Sequence, residues 1–172
     1  VINASTMFES ASFAPFTNFV PPVINAEKPI LLEKMFSEIN VETLKVVKTT
    51  ATATNMTHMF YSTKIKDLDL SEFNTTNVEN MTSMFHLSNE LEFINVDNFD
   101  TNSVTTMSSM FMRAGSFSKI IIDISSFEIN DSTIVTKMFN NTNSLLIYVK
   151  NETIATKINN NTTGLGSPEK YS

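Results

Sequence analysis

Cysteine is absent from the 172-residue chain. Its absence excludes disulfides, thiolate metal sites and thiol catalysis. Secretion stays open, because a long stacked core needs no covalent staples. A lipid anchor on cysteine would have to lie outside this segment. Glycine occurs only at 115, 164 and 166, which leaves no room for a glycine-rich phosphate loop. Basic residues are scarce: 12 Lys and Arg stand against 18 Asp and Glu, for a net charge of −6. That balance, with no basic cluster, argues against nucleic acid and against an anionic membrane surface. No apolar run approaches the roughly 18 residues a membrane helix requires. The chain begins at Val1, with neither an initiator Met nor a signal peptide, and so reads as a mature or excised piece. The only two histidines, His58 and His86, have no His or Cys at ligand spacing, and no Ser-His-Asp grouping is suggested. No carboxylate pair stands against an apolar background as an acid/base couple would. The expectation is a non-catalytic chain with no metal and no cofactor.

What the chain has instead is Phe and Met, fourteen and ten of them. They recur as a pair: Met7-Phe8, Met35-Phe36, Met59-Phe60, Met84-Phe85, Met110-Phe111 and Met138-Phe139, at intervals of 28, 24, 25, 26 and 28 residues. Three residues before each pair stands Ala4, Leu32, Met56, Met81, Met107 or Val135. The unit is clearest from Val78, where Val78, Met81, Met84 and Phe85 make one apolar stripe. This spacing predicts a short helix. Met and Phe so placed read as core, not as a ligand box. Four residues after each Met comes Ala11, Ile39, Thr63, Ser88, Ala114 or Thr142, small in all but one case, as a tight corner demands.

A strand follows each corner. Leu44 and Val46, Leu68 and Leu70, Ile94 and Val96, and Ile120 and Ile122 alternate with other residues, and alternation suits a half-buried strand. The last two pairs lie one residue later relative to Met, which an extra corner residue explains without flipping the faces. Phe73, Phe99 and Phe127 then close their units. Asn74-Thr75-Thr76-Asn77 and Asp100-Thr101-Asn102-Ser103 precede Val78 and Val104 as N-cap residues should. No single unit can bury its apolar side, whereas stacked copies can.

These motifs together resemble the BspA-like leucine-rich repeats, a group also described as a mycoplasma surface-protein repeat of unknown function. The match runs through Leu68-Asp69-Leu70-Ser71-x-Phe73-Asn74-Thr75 and Asn77-Val78-x-x-Met81-x-x-Met84-Phe85. It is strongest over residues 54–127, weaker over 30–53 and 128–150, and reaches residues 1–29 only through Met7-Phe8. It departs at Thr49, where a closing Phe is expected, and at the run Leu145 to Val149. The resemblance implies an α/β repeat fold: a right-handed, leucine-rich-repeat-like solenoid of about six coils, each of 24–28 residues. One face would carry a parallel β-sheet and the other short helices. It further implies a place on the cell surface or outside the cell, a role in adhesion, and no catalytic residues.

Three segments follow from this reading. Residues 1–30, with Phe13, Phe16, Phe19 and Pro15, Pro21, Pro22 and Pro29, read as an irregular N-terminal cap. Residues 31–150 are the stack, and residues 151–172 a polar tail or linker. The frequent Asn-x-Ser/Thr triplets read as a by-product of a chain rich in Asn and Thr.

If the alternating residues above point inward, those between them form rows on the outer sheet face. One row is Lys45, Asp69, Asn95 and Ile121; another includes Asp97 and Asp123; a third includes Asp67, Phe93 and Lys119. Strands about 4.8 Å apart would bring Asp97 and Asp123 side by side. The expected function is a binding module that presents this face to a protein or a glycan. The alternative is a structural spacer or self-assembling unit of a larger surface protein or filament.

Overall fold

The computed structural model describes residues 2–11, 18–19, 28, 30–45, 53–118 and 120–163. Within them the chain alternates between two parallel ladders. The first is built by β1 (Ile2–Asn3), β3 (Ile30–Leu31) and β5 (Ala53–Asn55). It continues as single bridges from Asn55 to Asn80, Thr106 and Ile134. The second is built by β2 (Asn18–Phe19), β4 (Thr43–Lys45), β6 (Asp67–Asp69) and β7 (Phe93–Asn95), followed by a separate pair, β8 (Ile120–Ile124) and β9 (Ser144–Val149). Leu44 pairs with Leu68 and Leu68 with Ile94, the register that the repeat offsets require. Asn18–Phe19 make a short strand inside a segment expected to be irregular; both keep the N–H that the nearby prolines lack. Phe13, Phe16, the four prolines of this segment and Thr49 lie outside the described residues.

Between a piece of the first ladder and the next piece of the second runs the Met-Phe unit. The predicted short helices are not there. These units are runs of turns, because two residues in each adopt a left-handed backbone. They are Thr6 and Ser10, Lys34 and Glu38, His58 and Ser62, Ser83 and Leu87, Ser109 and Arg113, and Lys137 and Asn141, all with φ between 55° and 63°. None is glycine, so the sequence carries no visible mark of the conformation. Hydrogen bonding shows what it achieves. Alternate amides bond three residues back, as Met35 to Leu32 and Ser37 to Lys34. The amides between them donate to the following unit: Lys34 to Thr57 at 3.0 Å, Phe36 to Met59 at 2.9 Å and Glu38 to Tyr61 at 2.7 Å. A helix would spend these donors on itself; here they join one unit to the next.

The apolar stripe is buried as its spacing predicts. Val78, Met81, Met84 and Phe85 are fully buried, as are Met56, Met59, Phe60, Met107, Met110 and Phe111. Phe8, Phe36, Phe60, Phe85, Phe111 and Phe139 form one stacked column with ring centroids 5.1–5.6 Å apart. The rings thus keep nearly the spacing of parallel strands. Met7 departs from the pattern and is exposed. The closing Phe residues are buried too, and Phe99 stacks on Phe127 at 6.0 Å.

The segments read as helix N-caps make turns instead: Asn74 accepts from the Thr76 amide at 3.1 Å and Asp100 from that of Asn102 at 3.0 Å. Buried Thr75 and Thr101 tie these turns together. The Thr75 hydroxyl donates to the Asp100 carbonyl and accepts from the Asp100 amide. Thr101 does the same with Glu128.

The polar tail is corrected in part. Glu152–Asn160 form α1, with Asn151 as its N-cap, Glu152 in its first turn and Lys157 in its last, each charge suiting the helix dipole. Ile154, Ala155 and Ile158 are buried. The Asn161 carbonyl accepts from the Lys137 amide at 2.7 Å, and Asn140 and Thr163 exchange two hydrogen bonds. Residues 151–163 therefore cover the last Met-Phe unit. No helix among the described residues is long and apolar enough to cross a membrane.

Candidate binding groove

Alternation along the second ladder sets the site. Leu68 and Ile94 point inward, as do Ile120, Ile122 and Ile124, all buried. Asp67, Phe93, Ile121 and Asp123 are exposed on the other side, with Asp69 and Asn95 half-buried. Among the described residues, ladder pairing stops at β7 and resumes between β8 and β9. At that break lies an open groove of about 460 Å³. Glu92, Phe93, Ile94, Asn95 and Asp97 line one side, Ile121 and Asp123 the other. Ile94 forms its apolar floor. At 7% exposure it is less covered than Leu44, Leu68, Ile120 and Ile122, which are at 0–1%.

Phe93 and Ile121 stand half exposed, both at 51%. Single exposed apolar side chains are ordinary; two lining one groove over an apolar floor are less so. Three carboxylates, of Glu92, Asp97 and Asp123, join them, and none makes an ion pair among the described residues. Asp123 accepts from the Ser125 amide at 2.9 Å, and the Asn95 side-chain oxygen accepts from the Asp97 amide at 3.1 Å. These local turns fix both side chains.

Five of the residues read as outward-facing thus share one groove: Phe93, Asn95, Asp97, Ile121 and Asp123. Asp67 and Asp69 lie one strand away on β6, paired with Phe93 and Asn95 but outside the groove. Lys45 lies on β4, further from it, with its backbone paired to Asp69. Lys119 is outside the described residues. Glu92 was not legible. Strict alternation places it beside Ile94 on the inner side, but the amides of Glu92 and Phe93 both donate to the Lys66 carbonyl, at 2.8 and 2.9 Å. The strand therefore starts irregularly, and Glu92 is exposed. No group of three or more His, Cys, Asp or Glu able to hold a metal occurs among the described residues.

A second cluster lies on the Met-Phe turns. Tyr61 sits between the two histidines, its ring edge-on to His58 at 5.2 Å and to His86 at 5.4 Å. Burial lowers the pKa of both imidazoles. Lys34 adds to the effect at His58, where Glu33 opposes it; His58 and Arg113 add to it at His86.

No curated protein and no solved structure matches the chain. Residues 30–153 hold every groove residue and five of the six Met-Phe pairs, and over that span the chain belongs to the family described as Mycoplasma protein of unknown function, DUF285.

Proposed function

We propose that the chain is a short, right-handed, leucine-rich-repeat-like solenoid of the BspA-like kind, held on a cell surface or outside the cell. It acts as a non-catalytic binding module. Its outer sheet face, centred on Phe93 and Ile121, takes up a protein or glycan partner. The observation that carries this reading is the groove at the ladder break, which combines an apolar floor, two exposed apolar side chains and three carboxylates that make no ion pair among the described residues. Such a mixture of apolar centre and polar rim is the usual anatomy of a binding patch. Three stabilising features lie away from this face: the Phe column, the inter-unit hydrogen bonds and the Thr ties. The exposed groove residues Phe93 and Asp97 can then be changed without loss of the fold.

The test is partner binding by Phe93→Ala and Asp97→Ala variants whose melting is unchanged. A partner captured by the parent chain is expected to be lost or weakened by at least about tenfold, the mark of a residue worth about 1.4 kcal/mol at an interface. Unchanged affinity in both variants removes this face from consideration.

A further inference from the structure

We propose that the groove between β7 and β8 takes a cationic protein segment, one bulky apolar side chain flanked by Lys or Arg. This rests on the reading of the outer sheet face as the binding surface, and it names the chemistry of the partner. The break in the ladder exposes the edge of Ile94, which the neighbouring inward residues Leu68 and Ile120 do not share. Phe93 and Ile121 line that space from different strands. The space suits a single large apolar side chain.

Charge decides between partner classes. Glu92, Asp97 and Asp123 border the same space, and no described cation pairs with any of them. Asp67 and Asp69 extend the same sign onto the adjoining strand. Lys66, whose carbonyl accepts from the Glu92 and Phe93 amides, has its ammonium 3.6 Å from Glu42 instead. The whole chain carries −6, so the long-range field also favours a cation. A neutral sugar can stack on Phe93 and donate hydroxyls to the carboxylates, but it leaves their three charges uncompensated. An acidic peptide would be repelled. A Lys- or Arg-flanked apolar residue satisfies both features.

The experiment titrates the full chain, isotopically labelled for NMR, with three probes. They are the peptide Gly-Lys-Ser-Phe-Ser-Lys-Gly, its counterpart with Glu in place of Lys, and a neutral β-linked oligosaccharide. The lysine peptide is expected to shift the signals of Phe93, Asn95 and Ile121 saturably. Binding is expected to weaken by about tenfold in Asp97→Asn/Asp123→Asn, a step of one decade in affinity, and to fall as salt rises from about 20 to about 500 mM. Phe93→Ala, which alters an exposed side chain, is expected to reduce it comparably. Equal binding of the glutamate peptide, or salt-independent binding, overturns the cationic assignment. Groove shifts caused only by the oligosaccharide overturn it too, while leaving the sheet-face reading in place. If no probe moves a groove signal, the cationic assignment fails. If, in addition, a partner captured by the parent chain binds Phe93→Ala and Asp97→Ala unchanged, the sheet-face reading fails with it.

Discussion

Phe111 lies flat on Phe139, ring centroids 5.1 Å apart and planes within 3° of parallel. This is one of five stacked contacts that join six rings along the molecule, all with planes within 17° of parallel, so each ring between the ends has a neighbour on both faces. Phe85→Ala removes a ring from the middle of the column and leaves a cavity that its neighbours cannot fill together. The expected cost is about 3–5 kcal/mol, read from urea denaturation. Phe117→Ala, at a position 77% exposed, is expected to stay within about 0.5 kcal/mol.

The left-handed residues give the second prediction. Ser109 has φ 56° and donates its amide to the Thr136 carbonyl at 2.9 Å. Glycine relieves the backbone but loosens the unfolded chain, and these effects oppose each other. Ser109→Gly is therefore expected to lie within about 1 kcal/mol of the parent. A β-branched residue fits this conformation badly, and Ser109→Val is expected to cost about 1–3 kcal/mol. Thermal melting of the two variants checks the order.

Ser88 gives the third. It is buried, donates to the Phe60 carbonyl at 2.7 Å and accepts from the Thr63 hydroxyl at 3.2 Å. Ser88→Ala keeps the small corner but leaves both partners buried and unpaired. A loss of about 1–3 kcal/mol is expected. The exposed Ser125→Ala, measured in the same denaturant series, should change little.

The histidines give the fourth. Burial, first of all, lowers the folded-state pKa of His58 and His86, so the folded chain binds their protons less readily than the unfolded chain does. Their contribution to stability is complete above the ordinary imidazole pKa of about 6.5 and is lost as pH falls below it. Melting temperature is expected to drop between about pH 7.5 and about pH 5.5. The His58→Gln/His86→Gln variant should flatten that slope. An equally steep slope in the double variant would show that other groups govern it.

The buried column was legible because Met and Phe return at nearly constant intervals, and large apolar residues so spaced need a common interior. Strand register was legible because Leu44 and Leu68 keep one offset from Met, while Ile94 and Val96 shift together by a single corner residue. The turns that replace the expected helices were not, because Lys34, His58 and Ser83 carry no glycine signal for their positive φ. Only the neighbouring unit, which takes their amides, makes that backbone worthwhile. The helix after Asn151 was obscured by its Asn-rich surroundings, although Ile154 and Ile158 stand one turn apart behind a cap and an acidic first turn. At the groove, alternation brought out Phe93, Asn95, Asp97, Ile121 and Asp123. It did not reveal the ladder break that opens the space between them, nor Glu92, whose placement follows from an irregular strand start.

Amide hydrogen exchange at Phe36, Phe60, Phe85 and Phe111 tests most directly whether each unit depends on the next. Each of these amides donates to a Met carbonyl of the following unit at 2.8–2.9 Å. If the units hold one another, all four exchange slowly, through openings close to global unfolding. Exchange at these four amides as fast as at the exposed turn residues Asn102 and Ser125 would contradict it.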